Sequence, residues 1–231
     1  MTVNFEQIKK NTVKAERQLK ETDCVRFENP NGEGKRVLFA GNSITLHGIL
    51  PEIGWYNEWG MAASEKAKDY VHRLIANINE NAKDAAYCIS NVFMWERNYM
   101  DGCEKVFPIY QNASDFAADI IVVRFVENCP ADNFVAELFK KELHKFIDFL
   151  NSTGEAKVIF STSFWHHIAD DALREYAKEN NLPLVELGDL GERDDMKALG
   201  LFEHDGVANH PGDFGMEKIA ERIFKVLKEY L

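Results

Sequence analysis

The chain has 231 residues, 45% of them hydrophobic, with 16 Phe and 4 Trp, and a net charge of -11 from 27 Lys and Arg against 38 Asp and Glu. That aromatic and aliphatic content excludes disorder as the dominant state. The negative field repels phosphate backbones and argues against a nucleic-acid partner, and the length suits one large domain or two small ones.

The first segment, MTVNFEQIKKNTVKAERQLK, reads as a polar surface helix without the apolar stretch of a secretory signal. No apolar run approaches the ~18 residues of a membrane span, so a cytoplasmic protein with no membrane partner is expected. Cys24, Cys88, Cys103 and Cys129 are scattered with no CxxC pair, which speaks against a disulfide framework or a zinc site. Asn29–Lys35 (NPNGEGK) reads as a turn, dividing an extension over residues 1–35, packed on the domain, from the domain proper over 36–231.

Short apolar runs follow at Arg36–Ala40, Ala85–Val92, Ile120–Phe125, Lys157–Ser161 and Leu184–Leu187. They are nearly continuous rather than alternating, as in parallel strands covered on both faces. Amphipathic helical patterns separate them: Val71, Leu74, Ile75 and Ile78, then Val135 to Leu150, then Asp171–Asn180, with a last stripe from Phe214 to Tyr230. Strands alternating with helices predict an α/β fold, a three-layer α/β/α sandwich with right-handed crossovers. Function in such a sheet gathers at the carboxyl ends of the strands.

Three segments fall at those ends. Gly41-Asn42-Ser43-Ile44-Thr45 follows the first strand and offers an exposed hydroxyl after a glycine turn; a helix N-cap serine fits the same place. Arg124-Phe125-Val126-Glu127-Asn128 follows the middle strand, and the Asn128 amide can donate to an oxyanion or simply cap its loop. His204-Asp205-Gly206-Val207-Ala208-Asn209-His210-Pro211 precedes the last helix. A hydroxyl needs a base, and the base needs an acceptor to fix its tautomer; His210 and Asp205 can supply both. The same letters also suit a plain turn, and His204, Asp205 and His210 together make a weak alternative metal site. Arg124 has an ion pair with Glu127 or Asp119 open to it.

These segments resemble the SGNH, or GDSL-type, hydrolases. GNS resembles their first block, GDS; RFVEN their third, GxND; and DGVANHPGDFG their last, DxxHP followed by a glycine. Order and separation agree across about residues 36–231. The resemblance implies a flavodoxin-like sandwich with a five-stranded parallel sheet and a serine esterase forming an acyl-enzyme. Ser43 is then nucleophile, His210 base and Asp205 its orienting acid. Asn128 and the Ser43 N–H are the oxyanion donors, and no metal or organic cofactor is needed. Asn42 stands where the block has Asp, Val126 where it has Gly, and Asp205 lies five residues before His210 rather than three. Glu203 or Asp189 as orienter, or an unassisted dyad, therefore stay open. The second block has no match: SNVFMWERN (Ser90–Asn98) occupies its place without a glycine.

Trp165 and His166 after the fourth strand, and Trp55 in the long segment after Ser43, are candidate substrate contacts, with core anchoring the alternative for the tryptophans. The expected reaction is hydrolysis of a short O-acyl ester, an acetyl group above all, of a carbohydrate-like or other polar alcohol. O-acyl transfer to a second alcohol and non-catalytic carbohydrate binding are the alternatives; the expected partner is the small-molecule ester.

Overall fold

The computed structural model describes residues 19–231, so the N-terminal helix expected over residues 1–20 falls almost wholly outside the described part. Strands β1 (Val25–Glu28), β2 (Arg36–Gly41), β3 (Ala86–Asn91), β4 (Ile120–Arg124), β5 (Lys157–Ser161) and β6 (Leu184–Val185) form one sheet in the order β1-β3-β2-β4-β5-β6. The five expected strands are all present and parallel. To these the structure adds a sixth, β1, paired antiparallel to β3 with Phe27 opposite Cys88. VRFE is too short and too charged at its end to announce itself by periodicity; its pairing depends on the partner it meets.

The helices are α1 (Tyr70–Asn81), α2 (Phe93–Asn98), α3 (Gln111–Asp115), α4 (Ala136–Leu150), α5 (Ala169–Glu179), α6 (Gly188–Gly191), α7 (Asp205–Ala208) and α8 (Asp213–Leu227). Successive residues of a strand face opposite layers. Val37 and Phe39 of β2 join the core under α1 and α8, with Leu74, Ile78, Ile219 and Ile223. Leu38 and Ala40 join the core under α4 and α5, with Phe139, Leu143, Phe146 and Leu173. Asp69 caps α1 by accepting from the His72 N–H at 2.7 Å, a bond of the kind that contributes about 1 kcal/mol. Its other oxygen takes the Gly60 N–H at 3.0 Å, which ties the long segment after Ser43 to the helix. Among the described residues no helix is long and apolar enough to cross a membrane.

The chain runs from β2 outward to β3, then back across β2 to β4. Clefts form where strand order reverses in this way, beyond the carboxyl ends of the strands. Register sharpens the point: Gly41 is paired with Asn91 on one side and Arg124 on the other. The GNSIT turn, the segment after β3 and the RFVEN loop therefore leave the sheet side by side.

Candidate active site

Ser43 sits in a tight turn closed by hydrogen bonds from the Thr45 and Leu46 N–H groups to the Asn42 carbonyl, at 2.9 and 3.0 Å. The turn requires Gly41, since a Cβ there would meet Thr45 Oγ1 at 1.8 Å. Ser43 Oγ lies 2.8 Å from His210 Nε2, so two residues 167 positions apart in the chain form one hydrogen-bonded pair. The Ser43 backbone N–H has no acceptor among the described residues.

The other imidazole nitrogen fixes the tautomer. His210 Nδ1 is 2.6 Å from the Gly206 carbonyl oxygen. A carbonyl only accepts, so Nδ1 carries the hydrogen and Nε2 is left with a lone pair for the serine proton. Asp205 does not take the place expected of it. Residues 205–208 wind into α7, and that single turn brings the carbonyl four residues before His210 under the ring. Asp205 opens the turn with an exposed side chain, and its own carbonyl accepts from Asn209 at 2.9 and 2.8 Å. Asp189 is engaged by both terminal nitrogens of Arg222, and no contact joins Glu203 to His210. The arrangement is a dyad backed by a peptide carbonyl. His204, Asp205 and His210 do not form a metal-ligating cluster.

Trp165 packs on the base, its ring centroid 5.0 Å from that of His210 and nearly perpendicular to it. Burial lowers the His210 pKa to about 4, opposed by the bond to Gly206 and aided slightly by His47 and Arg124. The imidazole is thus neutral and ready to accept a proton across the neutral pH range.

The RFVEN loop is built around buried charge. Arg124 and Glu96 are completely buried, and Arg124 Nη2 pairs with Glu127 and donates to Asn42 Oδ1 at 3.0 Å. Asn42 Nδ2 donates to Glu127 at 2.6 Å and to Glu96 at 3.1 Å. The Asn at position 42, where the GDS pattern has Asp, thus has a physical account. The side chain lies between two carboxylates, and an Asp there would lack the N–H groups and add a third negative charge. Val126 has φ 137, a backbone conformation suited to glycine and costing a β-branched residue on the order of 1–3 kcal/mol.

Glu96, on α2 within the Ser90–Asn98 segment, is the member that sequence reasoning left unassigned. It accepts from the Val126 N–H at 2.8 Å, the Asn128 N–H at 3.2 Å and Asn128 Nδ2 at 2.8 Å, besides Asn42. Burial and the neighbouring Glu127 raise its pKa to about 7, against the lowering by these hydrogen bonds. The only signal in the sequence is an acid set between Trp95 and Arg97 just past a buried strand. Trp95 anchors α2 beneath the site, 5.3 Å from Phe146 and from Tyr99 and 5.1 Å from Phe125.

Ser43, His210 and Asn128 line one cavity of about 400 Å³. Its walls are mostly apolar: Ile53 and Met61 from the segment after Ser43, Phe93 and Met94 from α2, and Cys24 just before β1. Phe93 and Met94 are partly exposed to solvent. His204 and Ile53 continue into a neighbouring groove of about 600 Å³ that reaches Tyr56, Phe202 and Glu203. The other expected substrate contacts lie elsewhere. Trp55 is fully buried, edge-on to Trp59 at 6.1 Å and beside Phe202, in a small core that ties this segment to Val207 of α7. His166 is exposed, 3.7 Å from Asp170, and does not line the cavity. Of the three, Trp165 alone reaches the site, through His210.

No protein-family model matches the sequence, and neither does any curated protein. Solved structures do resemble it. A family two carbohydrate esterase from Clostridium thermocellum matches with a TM-score of 0.57 at 16% identity, over 87% of this chain and 66% of that one. A two-domain esterase active on acetylated mannans matches at 0.54 and 15%, over 85% of this chain and 49% of the other, so this chain spans about half its length. A lipolytic protein of the G-D-S-L family from Veillonella parvula matches at 0.51 and 16%, over 83% and 97%. The fold is that of the GDSL-type, or SGNH, esterases.

Proposed function

We propose that the protein is a serine hydrolase of carboxylic esters. The observation that carries this reading is the 2.8 Å contact of Ser43 Oγ with His210 Nε2, both lining a cavity that Asn128 also lines. Ser43 attacks the ester carbonyl as His210 Nε2 takes its proton. The negative charge formed on the carbonyl oxygen is met by the Ser43 N–H and the Asn128 amide. The imidazolium returns the proton to the departing alkoxide, leaving an acyl-enzyme. Water then repeats the sequence in the second half: His210 takes its proton, the acid leaves and Ser43 is restored.

The substrate we assign is a short O-acyl ester, acetyl foremost, of a polar, carbohydrate-like alcohol. The apolar wall of Ile53, Met61, Phe93 and Met94 suits a small acyl group, and about 400 Å³ lies near the lower end of the range for small-molecule sites. The adjoining groove, with Glu203, His204 and Tyr56, offers hydrogen-bonding groups and a ring to the alcohol. Carbohydrate esterases among the structural neighbours support the same choice. The four cysteines are unpaired, which suits a reducing compartment, and we assign the protein to the cytoplasm.

The test is labelling with a fluorophosphonate, followed by peptide mapping and by hydrolysis of p-nitrophenyl acetate, butyrate and octanoate. Modification at Ser43 and a rate falling from acetyl to octanoyl are expected. An unlabelled Ser43 overturns the nucleophile, and a maximum at octanoyl overturns the short-acyl assignment.

A further inference from the structure

Asn128 is an amide on a short loop, and an amide that swings freely makes a poor preorganised donor. Its orientation is decided by a residue outside the motif blocks. Glu96 Oε2 is 2.8 Å from Asn128 Nδ2. Once ionised, above about pH 7, the carboxylate only accepts, and the nitrogen, not the oxygen, of the Asn128 amide then faces it. That uses one of the two hydrogens on Nδ2 and leaves the other. The opposite oxygen of the same carboxylate collects the backbone N–H groups of Val126 and Asn128. These are the residues on either side of Glu127, and Val126 is held at φ 137.

We propose that Glu96 is a positioning residue, clamping the Asn128 amide and the backbone around it so that the second Nδ2–H meets the oxyanion formed on the substrate at Ser43. The inference rests on the hydrolase reading above. It gives the place of the missing second block a function: instead of lending an oxyanion N–H of its own, α2 sets the donor of the third block. Glu127 is not interchangeable with Glu96, because its oxygens are taken by Arg124, Asn42 and the Phe164 N–H.

The decisive measurement is a double-mutant cycle on kcat and KM with p-nitrophenyl acetate. Glu96→Gln keeps the size of the side chain but sets an NH2 against a donor. With its oxygen under the backbone N–H groups, its nitrogen meets Asn128 Nδ2, and the Asn128 amide must turn over. Loss of one oxyanion donor costs about 10²–10³ in kcat. Glu96→Gln is expected to lose about 10²-fold in kcat with KM changed less than about threefold. Asn128→Ala is expected to lose at least as much, and the double variant no more than Asn128→Ala, since Glu96 acts through Asn128. A wild-type kcat in Glu96→Gln, or losses that multiply in the double variant, overturns the proposal.

Thermal unfolding checks that the variants fold. Should Glu96→Gln not fold, the wild-type chain carries the test through its Asn128 side-chain amide resonances, followed by NMR as a boronic acid adds to Ser43. The two Nδ2 protons give separate signals because the amide C–N bond rotates slowly; one is expected to move on adduct formation while its partner stays. Signals that both stay, or that move together by the same amount, overturn the proposal. A wild-type chain without ester turnover removes the hydrolase reading and this role together, whereas turnover indifferent to Glu96 removes this role alone.

Discussion

The loop that carries His210 and the loop that carries Asn128 flank the same hydroxyl, yet they hold their side chains by opposite means. His210, which becomes a cation in the proposed reaction, is fixed by uncharged groups, the Gly206 carbonyl and the ring of Trp165. Asn128, which stays neutral, is fixed by a buried carboxylate in contact with two others of its network, Asn42 and the backbone of Val126. On the proposed mechanism a peptide oxygen suffices for His210, because its partner's task is mainly to keep one tautomer. Asn128, the donor of that mechanism, lies on a loop strained at Val126, and a charge-assisted bond, roughly twice as strong as a neutral one, is what holds such a loop.

The largest effect separates the pair from everything that supports it. Ser43→Ala and His210→Ala should each lower kcat by on the order of 10⁴-fold or more, nearly equally, because nucleophile and base act as one unit. Steady-state kinetics on p-nitrophenyl acetate reads this directly, and full activity in Ser43→Ala removes the mechanism. On the other arm, Asn128→Ala should lose about 10²–10³ in kcat while still reacting with a fluorophosphonate, only more slowly.

Asn42→Asp tests the buried charge without touching either reacting group. It places a third carboxylate against Glu96 and Glu127 and removes their shared donor, a change of the kind that costs about 3–5 kcal/mol in stability. Chemical denaturation should show that loss, and a stability equal to wild type would mean the cluster is solvated.

The pH dependence distinguishes the arms again. His210, lowered to about 4 by burial, must be neutral to act, so kcat/KM falls as pH drops through about 4 rather than through the ordinary imidazole range. Its folded pKa lies below the unfolded value of about 6.5, so its contribution to stability is present above that value and is lost as pH falls toward about 4. Glu96, raised to about 7 by burial and Glu127, adds a shallower rise as it ionises and regains both oxygens as acceptors. Glu96→Gln should abolish the upper inflection and leave the lower one.

The smallest effect belongs to Asp205. With the Gly206 carbonyl on Nδ1, Asp205→Ala should change kcat by less than about twofold, where a triad acid would cost orders of magnitude.

The parallel strands were legible from the sequence because both of their faces are buried, and continuous apolar runs such as IIVV at the start of β4 have few other meanings. That Ser43, His210 and Asn128 come to one cavity was legible because each follows a strand or precedes a helix in a short motif. Asp205 misled because letters do not show that five residues ending at a histidine wind into a helical turn, which substitutes a carbonyl for a side chain. Glu96 and Trp55 were hidden for one reason: a carboxylate that gathers four N–H donors and a tryptophan closed in a core look, in one dimension, like a surface acid and an exposed ring.

The borders of the sheet bear on how the chain behaves among its own copies. Among the described residues one border is β6, two residues long; the other is β1, four residues running counter to the rest with charged Arg26 and Glu28 along it. A long, flat border recruits strands from other molecules. Were β1 peeled away, it would bare Ala86–Asn91, an almost wholly buried ribbon reading AYCISN. The short antiparallel strand thus serves as a guard against edge-to-edge aggregation, and weakening it should show first as loss of solubility.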